Sequence, residues 1–197
     1  SDFPLGRQDI PKELQIASGL YGREDEITAL EDVMERVSQG APEMVLISGN
    51  AGIGKTALVG EIHRFIAKKT GYLISGKFDQ LRHNIPYSAL IQALRGLIRK
   101  ISAEEKSRME RWKKRILAAL GPNGQLITQL IPELEQMIGP QPSLPEIGVL
   151  ETRNRFTAVL LDFISVFCEK THPLVIFLDD LQWVDAETLK LIELIAQ

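Results

Sequence analysis

Ile27, Leu30, Val33, Met34 and Val37 recur at three- and four-residue steps and predict a helix from about Glu24 to Val37. Gly40 and Pro42 stop it. Met44-Val45-Leu46-Ile47-Ser48 is then an apolar run of strand length, and Ala57 to Lys69 returns to the helical period with Leu58, Ile62, Phe65 and Ile66 on one face. Gly71 turns the chain into a second strand, Tyr72-Leu73-Ile74-Ser75. This strand–helix–strand unit is expected to be a right-handed βαβ crossover.

Residues 77–86 are a polar loop leaving that second strand. Helical stretches follow at Tyr87 to Ile101, Ala103 to Leu120 and Gln125 to Ile138, separated by Ser102 and by Gly121-Pro122-Asn123-Gly124. Pro132 should kink or shorten the last of them. Pro140, Pro142 and Pro145 mark a breaker-rich connection, after which Glu151 to Lys170 reads as one amphipathic helix. Pro173 introduces Leu174-Val175-Ile176-Phe177-Leu178, which ends in Asp179-Asp180. A strand apolar on both faces belongs in the middle of a parallel sheet covered by helices. The expected division is a lead-in or linker at 1–19 and a partial α/β domain at 20–197. Residues 87–148 are expected as a helical insertion serving as a lid, a partner surface or extra core. The chain opens without methionine and is still in helical stride from Leu189 to Gln197, as a segment of a longer protein would be.

With 44% hydrophobic and 25% charged residues, the composition is that of an ordinary soluble globular chain. The net charge of −3 argues against nucleic acid as a partner. Arg108, Arg111, Lys113, Lys114 and Arg115 share one helix, but Glu104, Glu105 and Glu110 balance them, so a solvated helix face is expected. The single cysteine, Cys168, rules out an internal disulfide and is expected as a small core residue. No apolar run approaches the roughly 18 residues that span a membrane. A reducing cytoplasmic setting is the natural reading. His63, His83 and His172 have no metal-ligand spacing.

Chemistry enters at Gly49-Asn50-Ala51-Gly52-Ile53-Gly54-Lys55-Thr56, a complete G-x-x-x-x-G-K-[ST] loop between a predicted strand and a predicted helix. Glycines let successive backbone N–H groups surround phosphate oxygens, and the helix that follows, from Ala57, offers its positive end to the same anion. Lys55 would reach the β- and γ-phosphates and the Thr56 hydroxyl would ligate Mg²⁺. Ligands of open α/β sheets lie at the carboxyl ends of the strands, where Ser48-Gly49 and Asp179-Asp180 both fall. The two ends should therefore converge. Asp179 would hold Mg²⁺ in the Walker B role, and Asp180 would orient or deprotonate the attacking water. By the same topology Lys77 and Arg82 face the nucleotide side, where either could touch phosphate and surface charge is the simpler account. Trp183 is expected to anchor the loop after the carboxylates.

Leu-Tyr-Gly-Arg-Glu at 20–24, the phosphate loop, Gly-Lys-Phe-Asp-Gln at 76–80, Asn-Ile-Pro-Tyr at 84–87, Gly-Pro-Asn-Gly at 121–124 and Leu-Asp-Asp-Leu-Gln-Trp-Val-Asp at 178–185 together carry a resemblance. Over about residues 15–197 the chain resembles the AAA-type "predicted ATPase" domain of large bacterial signalling proteins. There it sits between a serine/threonine kinase domain and GAF plus histidine-kinase domains. More broadly it is similar to the STAND class of P-loop switch ATPases. The resemblance implies an ASCE-type, three-layer parallel sheet, with the Walker B strand one place removed from the P-loop strand. The strand filling that gap would follow the Walker B strand in sequence, so the sheet is expected to be truncated here, without the lid and winged-helix elements. It also makes Tyr21, Gly22 and Arg23 nucleotide-binding candidates, with a structural ion pair as the other reading of Arg23. Asp180 departs from the glutamate of many related ATPases, which suits slow hydrolysis.

The reading is an ATP-binding, slowly hydrolysing regulatory switch with ATP and Mg²⁺ as cofactors. Its partners would be other domains of the same polypeptide, with self-association through an incomplete sheet. The alternative is a non-hydrolysing nucleotide-binding or protein-interaction scaffold. A kinase is a weaker third reading, because the protein-kinase motifs are missing from these residues.

Overall fold

A computed structural model describes residues 22–50, 54–69, 71–82, 85–144, 149–170 and 172–196. Helix α1 (Glu24–Ser38) carries Glu24, Asp25 and Glu26 in its first turn and Arg36 in its last, the arrangement that opposes the helix macrodipole. Its periodic face buries Leu30 and Met34. It packs on α2 (Lys55–Lys68), whose Leu58 and Ile66 are buried.

Strand β1 (Tyr72–Lys77) pairs in parallel with β2 (Leu174–Asp179), in a register running from Tyr72 opposite Leu174 to Lys77 opposite Asp179. Between them run α3 (Ser88–Ser102), α4 (Lys106–Leu120), α5 (Gly124–Thr128), α6 (Pro132–Ile138) and α7 (Val149–Ser165). After β2 comes α8 (Ala186–Ile195). The period of two in β1 puts Tyr72, Ile74 and Gly76 on a buried face. Helix α3 presses on this strand so closely that a Cβ on Gly76 would lie 1.9 Å from the Ala89 carbonyl oxygen.

The helices from 88 to 138 supply most of the core: Leu90, Leu94, Leu97, Ile98, Ile116, Leu120, Ile127 and Leu134 are buried there with Phe163 of α7. Of the roles open to this region, extra core is the one these contacts support. Pro132 opens α6, where its missing N–H costs no helical bond. Tyr72, Trp112, Phe167 and Phe163 stack in sequence with centroids 6.0, 5.3 and 5.3 Å apart. The Tyr72 hydroxyl donates to Glu104 Oε1 at 2.6 Å, and burial with that carboxylate raises its pKa.

Several expectations are corrected. Met44–Ser48 is not a strand: it has no ladder partner in the described two-strand sheet, and Met44 and Leu46 are 64% and 73% exposed. A strand exists only by pairing, and β1 and β2 here pair with each other; at the surface, water can satisfy the backbone of 44–48 instead. The expected βαβ unit from 44 to 75 is therefore not formed. β2 is half-buried along its whole length, because β1 covers one edge only. β1 runs past Ser75 to Lys77, and α7 stops at Ser165 instead of reaching Lys170. Beyond α7 the Arg115 guanidinium binds the Val166 carbonyl at 2.6 Å. Cys168, expected in the core, is exposed just past that helix.

Candidate functional site

The parallel register brings Lys77 and Asp179 side by side at the carboxyl end of the sheet. Asp179 Oδ1 accepts the Asp180 backbone N–H at 2.9 Å, and Asp180 sits in the left-handed region at φ 56°. Aspartate is among the few side chains that tolerate this conformation. The turn aims the second carboxylate back across the strand ends, where Gln182 Nε2 donates to its Oδ1 at 3.2 Å. Lys77 Nζ lies 3.1 Å from Asp180 Oδ2 and 3.9 Å from Asp179 Oδ2. The Lys77 contact first, then Gln182, holds the Asp180 carboxyl below the usual carboxylate range, and the Lys55 charge acts in the same direction. Lys77 is raised in turn, chiefly by Asp180.

The phosphate loop leads into α2. Gly54, at φ 93°, is the N-cap of α2, a conformation that favours glycine. Ala57 N and Leu58 N both bond its carbonyl, at 3.0 and 3.3 Å. The first turn of α2 carries no acidic residue to offset its positive end. Lys55 Nζ folds back onto the Gly49 and Asn50 carbonyl oxygens at 2.7 and 3.0 Å. Ala51, Gly52, Ile53, Tyr21 and the Thr56 hydroxyl lie outside the described residues. Gly22, at φ 72°, donates its N–H to Glu24, and Arg23 pairs with Glu26 at 3.4 Å on the first turn of α1.

Two features escaped the sequence. Lys77 was assigned to a loop, although two strands ending level would have set it beside Asp179. The other feature is a buried link. Asp185 caps α8 by accepting Thr188 N at 2.8 Å, and the Thr188 hydroxyl donates to Asp185 at 2.5 Å. That hydroxyl also accepts the Tyr87 backbone N–H at 2.8 Å, and the Tyr87 ring leans on Phe156 at 5.1 Å. Tyr87 and Asp185 are thus tied together through Thr188. Trp183 lines a cleft of about 400 Å³ with Gln80, Gln182, Val184, Asp185 and Ala186.

Among the described residues no group of three or more His, Cys, Asp or Glu side chains could hold a metal. Mg²⁺ takes hard oxygen ligands from one or two carboxylates and completes its shell with phosphate and water. Asp179, at the carboxyl end of β2, carries a carboxylate of this kind. No described helix is long and apolar enough to cross a membrane.

The profile of an AAA ATPase domain matches residues 19–197. The chain is 36% identical over 197 residues to Hybrid signal transduction histidine kinase G of Dictyostelium discoideum, covering 100% of this chain and 6% of that protein. It is 23% identical over 195 residues to Histidine protein kinase 1 of Candida albicans, covering 91% of this chain and 8% of that protein. The chain thus spans less than a tenth of these relatives, which are histidine-kinase signalling proteins. No solved structure matches it. On its phosphate loop, its parallel strands and a family match over nearly its whole length, the chain belongs to the AAA ATPase domain family and so to the P-loop NTPases.

Proposed function

We propose that the chain binds Mg·ATP between the 49–56 loop and Asp179-Asp180, and hydrolyses it slowly as a regulatory switch within a larger signalling protein. The observation that carries this reading is the Asp179-Asp180 pair at the carboxyl end of β2, in a chain whose 49–56 loop leads into α2. Phosphoryl transfer to water asks for positioning and charge neutralisation more than covalent chemistry. Lys55 would exchange the Gly49 and Asn50 carbonyls for β- and γ-phosphate oxygens, while the backbone N–H groups of the loop and of α2 bind the rest. Mg²⁺, when bound, would neutralise the phosphates from Thr56 and Asp179. Asp180, held below its ordinary pKa, is ionised at neutral pH and a weak base. It therefore orients the attacking water by accepting its hydrogen bond.

Asp180→Asn is expected to leave Mg·ATP affinity within a few-fold of the parent while slowing phosphate release by about a hundredfold, the usual worth of such a group. Calorimetry and a phosphate-release assay read the two effects separately. Unchanged release would make Asp180 structural. A specific observation favours the alternative, a non-hydrolysing scaffold: Lys77 already pairs with both carboxylates and offsets part of their charge. Phosphate release from the parent chain decides between the two.

The ASCE-type three-layer sheet, the domain bounds of 20–197 with an insertion at 87–148, a cytoplasmic setting and partnership with kinase, GAF and histidine-kinase domains of the same polypeptide belong to this proposal. So do the nucleotide contacts of Tyr21, Gly22 and Arg23. Exposed Met44 and Leu46, together with a half-buried β2, favour self-association. Light scattering should show the mean mass rising with concentration, and a constant monomer mass would contradict this.

A further inference from the structure

Lys77 has a role to which neither the loop motif nor the carboxylate motif points. Its strand position is fixed from three directions: the ladder sets it opposite Asp179, its N–H donates to Gln92 Oε1 of α3 at 3.2 Å, and Phe78 N beyond it bonds the Asp179 carbonyl at 3.1 Å. Paired residues of neighbouring parallel strands share a face about 4.8 Å apart, so the ammonium lies within reach of the carboxylates. It touches both of them, Asp180 at 3.1 Å and Asp179 at 3.9 Å. A cation in this place competes with any divalent ion for the same oxygens.

We propose that Lys77 is a built-in counter-ion of the Asp179–Asp180 pair, which keeps divalent metal off the carboxylates until triphosphate gives the ammonium another partner. The proposal rests on the reading of Asp179 as a metal ligand. Without nucleotide, an arriving dication meets a carboxylate pair already neutralised in part by Lys77. With nucleotide, the ammonium can turn to phosphate oxygens and release Asp179. Lys77 is a positioning residue here, acting through the carboxylates. It makes metal entry follow nucleotide entry. Because 63% of its side chain is exposed, the ammonium can swing between the two partners without disturbing the core.

Manganese(II) alone, titrated into the full chain and followed by the electron paramagnetic resonance of the free ion, tests this. Lys77→Met removes the charge and keeps the stem; Lys77→Arg keeps the charge. Like-charge repulsion at this range in a solvated site is worth about tenfold in affinity. Lys77→Met is expected to bind Mn²⁺ about tenfold more tightly than the parent, with Lys77→Arg close to the parent. Adding Asp179→Asn to Lys77→Met should abolish the gain. Equal affinity of Lys77→Met and parent would overturn the proposal, as would an equal gain in Lys77→Arg. No nucleotide is present, so a failed Mn²⁺ result condemns the counter-ion role alone. Failure of Lys55-dependent ATP binding would condemn the nucleotide site instead.

Discussion

Lys55→Ala is expected to lower Mg·ATP affinity by about two orders of magnitude, ~3 kcal/mol, the upper range for hydrogen bonds to a charged group. The β- and γ-phosphates lose the loop's own ammonium, at the end of a helix whose first turn has no acid to compete for it. The Lys55 contacts to the Gly49 and Asn50 carbonyls, at 2.7 and 3.0 Å, belong to the free loop and are given up on binding, so their loss offsets only part of this. Backbone N–H groups and the α2 terminus remain, so weak binding should survive. Calorimetry with Mg·ATP measures the change, and thermal unfolding shows whether the variant is folded. Equal affinity of variant and parent would remove the loop from the account.

The largest effect on stability is expected from Gly76→Ala. A Cβ there would stand 1.9 Å from the Ala89 carbonyl oxygen and 2.6 Å from its carbon, both backbone atoms in the first turn of α3. No side chain can move aside, so strand and helix must separate where the core begins. Overpacking of this kind costs about 3 kcal/mol or more. In a domain of this size that lowers Tm by roughly 6–12 °C. Gly96→Ala is the control: it lies in the same helix with nothing within 4 Å of a new Cβ. It should gain about 0.5–1 kcal/mol from helix propensity. Equal melting of the two variants would show that β1 and α3 do not meet as described.

The helical period of Ile27, Leu30, Val33, Met34 and Val37, and that of Leu58 and Ile66, was enough to place α1 and α2 within about two residues. Helices are written in local spacing, and so was the apolar run ending at Asp179. Met44–Ser48 failed for the opposite reason. Its residues are as apolar as those of β2, but a strand needs a neighbour, and neighbours are set by distant parts of the chain. The same non-locality hid the Tyr87–Thr188 hydrogen bond, whose partners stand 101 positions apart. Cys168 misled because its apolar neighbours suggest a helix continuing to Lys170, whereas α7 ends at Ser165 and leaves the residue exposed, its thiol donating back to the Ile164 carbonyl. Lys77 was hidden by a strand end two residues short. Gly76 enters the sequence reading only as part of the 76–80 motif, yet it is the residue that lets α3 approach.

The central claim, that one nucleotide site is shared by the 49–56 loop and the Asp179-Asp180 strand end, is tested most directly by a crystal structure of the chain with Mg²⁺ and a non-hydrolysable ATP analogue. The account predicts Lys55 Nζ on the β- and γ-phosphates, Mg²⁺ held from Thr56 and Asp179, and Lys77 drawn away from Asp179. Triphosphate bound elsewhere, or bound at the loop with Mg²⁺ remote from Asp179, would contradict it.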